Sequence, residues 1–60
     1  MTSTHDDYDQ HAREYAAGLL RKHGEFMMAR FGPGQATFDL GRFTEGAWAC
    51  EFADWLEAPR

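Results

Sequence analysis

The sequence has one cysteine, Cys50, and only two prolines among its 60 residues. A single cysteine cannot close an internal disulfide, which excludes a disulfide scaffold. The three histidines show no HxxxH spacing and there is no CxxC, so a structural zinc site is not indicated either. A short chain without a disulfide or a structural metal site depends on a well-patterned core or on association with another chain.

Long apolar runs and basic clusters are missing as well. No segment approaches the roughly 18–20 apolar residues that a membrane-spanning helix needs. Residues 1–10 are polar and acidic, unlike a signal peptide. The net charge of −4 and the lack of a basic stripe disfavour direct binding to nucleic acid. We therefore expect a soluble cytoplasmic protein that contacts neither a membrane nor nucleic acid directly.

Aromatic residues, in contrast, are plentiful: two Trp, two Tyr and five Phe make nine. A chain of this length forms one domain, 1–60, and buries only about 60% of the surface that its unfolded form exposes. Each aromatic side chain buries about 150–250 Å², so this composition excludes disorder. Nine aromatics also exceed what such a monomer can hide, so some are predicted to face a partner.

The first half of the chain keeps helical spacing. Two adjacent apolar stripes result: Tyr8, Ala12, Tyr15, Leu19 and Phe26, and then Ala16, Leu20, Met27 and Phe31. This pattern predicts an amphipathic helix over about 6–31, with residues 1–5 frayed. Gly24 costs about 1 kcal/mol relative to alanine inside a helix, which makes it the expected position of a bend.

Both ends of this helix carry sequence signals. Thr4 or Asp6 is the predicted N-cap, and the acidic residues beside it complement the helix dipole. The Gly-Pro-Gly turn at 32–34 ends the helix, with Gly32 predicted in the left-handed position that follows a helix end.

The second half of the chain is less uniform. Alternation over 36–41 predicts a short extended segment. The spacing of Trp48, Phe52, Trp55 and Leu56 predicts a second helix over about 44–57, with Thr44 as its N-cap. The expected fold class is therefore mainly α. The alternative left open is an α+β fold with a hairpin of 36–43 and 47–53.

Charge is concentrated at the two ends of the chain. Residues 1–10 carry −3, residues 11–34 carry +2 and residues 45–60 carry −3. The simpler interpretation is solvated helix faces. The sharper interpretation is an acidic end that meets the basic, nucleic-acid-binding groove of a larger protein. The predicted partner-binding residues are Met28, Glu45, Glu51, Asp54 and Glu57.

Candidate catalytic and metal groups lack the surroundings that chemistry requires. Asp7 and His11 are i, i+4 neighbours that could share a metal ion, but they lie near an unenclosed terminus. Cys50 with His23 is the one conceivable nucleophile and base, and no third group orients them. The sequence therefore predicts no catalytic residue, no metal and no cofactor.

In its length, acidity and lack of catalytic groups, the chain resembles small phage-encoded inhibitors such as anti-CRISPR proteins, without sharing a motif with them. This resemblance of type implies a non-enzymatic inhibitor or regulator that occupies a surface of a larger protein. The alternative is a self-associating structural or regulatory helical hairpin that forms a homodimer.

Overall fold

Two helices account for most of the chain. The computed structural model describes the backbone of residues 2–59 and the side chains of residues 8–59. Helix α1 (Thr2–Phe31) and helix α2 (Leu40–Glu57) form an antiparallel hairpin. The expectation of a mainly α fold is confirmed. Residues 2–59 contain no strand, so neither the extended segment 36–41 nor the alternative hairpin occurs there.

Helix α1 is a single helix that continues through Gly24, where a bend was expected, and it ends at Phe31, as predicted. It begins at Thr2, earlier than the predicted start near residue 6. The side chains of the predicted caps, Thr4 and Asp6, lie outside the described residues.

The turn between the helices satisfies the carbonyl groups at the end of α1. The backbone N–H of Asp39 donates to the carbonyl of Phe31 at 3.1 Å, and the hydroxyl of Thr37 donates to the carbonyl of Arg30. These bonds supply partners that a helix end otherwise lacks. The left-handed position, with φ of +90°, belongs to Gly34 and not to Gly32, so that prediction is wrong.

Helix α2 begins at Leu40, before the predicted start near residue 44. Its N-cap is Asp39, whose Oδ1 accepts the backbone N–H of Arg42 at 3.1 Å. Thr44 lies inside the helix, and its assignment as the cap is wrong. Both residue types are good caps, and the bond from Asp39 back to α1 decides which one opens the helix.

Small residues form the contact between the helices. We call the five small buried residues within the two helices the inner face: Ala17, Gly24, Gly46, Ala49 and Ala53. A Cβ placed on Gly24 would lie 2.5 Å from the carbonyl oxygen of Gly46, and one placed on Gly46 would lie 2.8 Å from that of Gly24. The two backbones therefore approach closely because neither glycine has a side chain.

The hairpin consequently has a thin core. Met27 is the largest of the buried apolar residues, and no large side chain is fully buried among the described residues. The radius of gyration is 14.7 Å, and the extents are 53 × 15 × 12 Å. A compact chain of this length has a radius of gyration of about 10 Å. The molecule is therefore rod-like, with one layer of two helices.

Candidate partner-binding surface

Large apolar side chains lie exposed along both helices. We call six of them the outer face, with exposed fractions from 37% to 72%: Tyr15, Leu19, Phe26, Trp48, Phe52 and Trp55. The spacing of Trp48, Phe52 and Trp55 predicts a stripe on one side of α2, and the sequence left open whether this stripe was core or partner surface. In the structure, the small residues of α2 (Gly46, Ala49 and Ala53) pack on α1 instead, and the aromatic stripe of α2 is left exposed.

A polar contact between the helices borders part of the outer face. Nε2 of His23 is 3.2 Å from Oε2 of Glu45. Leu19 and Phe26 lie four residues before and three residues after His23, so they neighbour it on α1. Trp48 lies three residues after Glu45 and neighbours it on α2 in the same way. Leu19, Phe26 and Trp48 therefore border the same polar contact between the helices.

Three rings of the outer face stack along α2. The ring centroids of Trp48 and Phe52 are 5.7 Å apart, and those of Phe52 and Trp55 are 5.8 Å apart, with interplanar angles of 25° and 29°. Such contacts hold the rings in defined positions. A surface whose side chains are already ordered loses less conformational entropy on binding. The outer face therefore presents a preorganised apolar ridge.

Ion pairs join the helices around Arg21. Its guanidinium contacts Asp54 at 2.7 Å and Glu57 at 2.8 Å. Hydrogen bonds to Asp54, and then to Glu57, raise the pKa of Arg21 above its ordinary value. Residues two apart on a helix point to different sides, so Arg21 does not share the side of His23. These charges lie away from the outer face.

The predicted partner-binding residues differ in their surroundings in the structure. Met28 is half-buried between the helices, with Cγ 3.1 Å from a Cβ placed on Gly46. Glu45 pairs with His23, while Asp54 and Glu57 pair with Arg21. Only Glu51 is exposed without an ion pair to the described residues. Contact of these residues with a partner stays a prediction.

The candidate chemical groups also lie apart. Among the described contacts, His23 bonds to Glu45, and Sγ of Cys50 lies 2.6 Å from a Cβ placed on Gly24. No described contact joins Cys50 to His23. The side chain of Asp7, half of the predicted metal pair, lies outside the described residues. Residues 8–59 hold no group of three or more His, Cys, Asp or Glu side chains arranged to bind a metal.

An open cleft of about 520 Å³ separates the first half of α1 from the end of α2. Its charged lining is already paired: Arg13 with Asp9 at 2.7 Å, and Glu57 with Arg21 at 2.8 Å. Gln10 donates to Glu14 within the same lining at 3.1 Å. The cleft therefore offers a ligand few free polar groups.

The spacing of the small residues is the feature of the sequence that could have identified the outer face, because it marks the opposite, packed side of each helix. Gly46, Ala49 and Ala53 recur at i, i+3 and i+7, and Ala17 and Gly24 are seven residues apart. A stripe of small residues permits closer approach of two helices than a stripe of tryptophan does. Within the part of the chain that the structure describes, neither helix is both long and apolar enough to cross a membrane.

No family model, curated protein or solved structure matches this chain. Function is therefore inferred from its own residues.

Proposed function

We propose that this chain is a non-enzymatic interaction protein that binds another protein through its outer face. The observation that carries the proposal is the distribution of residue size: the buried residues are alanine and glycine with one methionine, while both tryptophans, both tyrosines and three of the five phenylalanines are exposed. Contiguous apolar patches of more than a few hundred Å² are rare on monomers and mark interaction sites. Aromatic residues are also enriched in the cores of interfaces.

The area of the outer face supports the proposal. With about 150–250 Å² for each aromatic side chain, the six residues expose on the order of 700 Å² of apolar surface. The accessible surface of the chain is 4688 Å² at a mass of 6.9 kDa. A compact monomer of that mass exposes about 4,000 Å². The excess is close to the roughly 800 Å² that each partner buries in a standard interface.

A second candidate function rests on the carboxylates of α2. Asp54 is 77% exposed despite its ion pair with Arg21, and Glu45 is 57% exposed despite its contact with His23. Together with Glu51, they could meet the basic groove of a larger nucleic-acid-binding protein, which is the inhibitor function expected from the sequence. Binding of this kind weakens steeply with added salt, whereas apolar binding does not. The salt dependence of binding therefore separates the two candidates.

Photocrosslinking from two positions tests the proposal. Benzoylphenylalanine replaces Phe52 on the outer face or, as the control, the exposed Glu25 of α1. Glu25 lies four residues after Arg21, on the side of α1 that faces away from His23 and the outer face. We expect a covalent adduct from position 52 in cells that express the chain, and none from position 25.

A second variant shows whether the adduct depends on the whole outer face. Leu19→Asp places a charge on the α1 side of that face, so it should abolish the adduct from position 52. No adduct from position 52, or equal adducts from both positions, would overturn the proposal.

A further inference from the structure

We infer that the partner of the outer face is a second copy of this chain, and that two hairpins pack face to face as a four-helix bundle. This inference rests on the proposed function, because it names the partner of the same surface. The first observation behind it is the thin core. A fold of about 60 residues without staples needs a substantial apolar core, and the buried apolar residues here are Ala17, Met27, Ala49 and Ala53.

A second copy meets this requirement directly. A partner that supplies the missing core must be present whenever the chain is folded, and a second copy always accompanies the first. Two outer faces together bury on the order of 1,400 Å², which lies within the range of about 1,200–2,000 Å² for stable interfaces. The His23–Glu45 pair would be covered with its two members already bonded to each other.

The charges of the helices select one arrangement of the two copies. The whole of α1 carries −1, but its residues 11–31, which include the part level with α2, carry +2. Helix α2 carries one arginine against four carboxylates, or −3. A two-fold axis parallel to the helices places α1 of one copy over α2 of the other. An axis across the helices places each helix over itself. Opposite charges favour the first arrangement.

Two unpaired charges at the borders of the outer face agree with this arrangement. Lys22 lies three residues after Leu19, and Glu51 lies three residues after Trp48. Neither has an ion pair among residues 8–59. Both lie at nearly the same height along the hairpin, because Gly24 is level with Cys50. A two-fold axis parallel to the helices keeps that height, so Lys22 of each copy meets Glu51 of the other.

Sedimentation equilibrium of the purified full chain, across micromolar concentrations, tests the inference. We expect a mass of two chains of 6.9 kDa each. Lys22→Glu and Glu51→Lys should each weaken the dimer roughly tenfold, because symmetry changes two pairs at once. The double variant K22E/E51K should return to within about threefold of the original Kd. Glu25→Lys, on the side of α1 that carries Arg21, is the control and should leave the Kd unchanged.

The outcomes separate this inference from the proposed function. Any mass other than two chains, whether the chain is helical or unfolded, overturns the second-copy inference. If position 52 still crosslinks to a different protein, the proposed function survives that result. If position 52 gives no adduct, both fail. Single variants that weaken the dimer without recovery in the double variant would overturn the placement of α1 over α2.

Discussion

The inner and outer faces of the hairpin differ in what their residues contribute. The inner face lets the two backbones come close at Gly24 and Gly46, and it buries little apolar area. The outer face carries the large side chains, whose burial would yield about 25 cal/mol for each Å² removed from water. The residues that set the distance between the helices and the residues that carry most of the apolar area therefore lie on different sides of the same two helices. The inner face sets how the helices cross, and the outer face contributes stabilisation only when it is covered.

The largest change in the free energy of unfolding is expected when a side chain is added to the inner face. Gly24→Ala places a methyl group 2.5 Å from the carbonyl oxygen of Gly46, so the helices must separate. We expect a loss of about 2–3 kcal/mol in the free energy of unfolding, measured by urea denaturation. Gly18 has nothing within 4 Å of an added Cβ, so Gly18→Ala is the matched control. It should stabilise the chain by roughly 0.5–1 kcal/mol. Effects of the same sign in both variants would contradict the assigned crossing point.

The next largest change in the free energy of unfolding is expected when a side chain of the outer face is truncated to alanine. Phe26 on the outer face is 58% exposed, and Phe38 in the turn is 49% exposed. If the outer face is covered by a partner copy, Phe26→Ala should cost about 2 kcal/mol in the free energy of unfolding. Phe38→Ala should change it by less than about 0.5 kcal/mol.

A Phe26→Ala variant that loses no stability would indicate an uncovered outer face. In a hairpin whose outer face is open to water, Phe26→Ala would be neutral or stabilising, because alanine is the better helix former. Thermal or urea unfolding at a fixed protein concentration distinguishes the two cases.

The two helices could be predicted from the sequence, but the side on which each helix packs could not. Helical periodicity predicted two helices, the end of α1 at Phe31 and two apolar stripes on α1. Periodicity reports that a stripe is apolar, and it does not report which stripe packs within the chain. On α2, the aromatic stripe and the small-residue stripe both had the right spacing, and only the closeness of the two backbones selects the small one.

The surroundings of the candidate site residues were harder to predict, because the residues that contact each other are far apart in the sequence. Arg21 and Asp54 are 33 residues apart, so counting the acidic residues of 45–60 could not reveal that Asp54 and Glu57 are already paired. Asp39 and Thr44 were equally good caps by residue type. The bond from Asp39 to the end of α1, which depends on the turn, decided between them.

A smaller effect is expected at the start of α2. Asp39→Ala removes the side chain that accepts the N–H of Arg42, and it should cost about 1 kcal/mol in the free energy of unfolding. Thr44→Ala is the control, because Thr44 lies inside the helix, and it should be neutral or slightly stabilising. A larger loss from Thr44→Ala than from Asp39→Ala would place the cap at Thr44 after all.

The smallest effect is expected at Arg21. Arg21→Gln removes the ion pairs to Asp54 and Glu57, which are exposed, so we expect a small decrease in Tm that disappears in high salt. The raised pKa of Arg21 means that its contribution is present below the ordinary pKa of arginine and is lost only as the pH rises through the raised value. The difference in Tm between Arg21→Gln and the original chain should therefore show no dependence on the titration of Arg21 near neutral pH. A large decrease in Tm that persists in high salt would contradict the exposed placement of this pair.

The most direct test of the outer face as a binding surface uses its own fluorescence. Trp48 and Trp55 are the two tryptophans of the chain, and both lie on this face. As the protein concentration rises, we expect a blue shift of the emission and weaker quenching by acrylamide, with the same midpoint as the change in mass from one chain to two. Folded single chains whose tryptophans remain fully accessible to acrylamide at every concentration would contradict coverage of the outer face by a second copy.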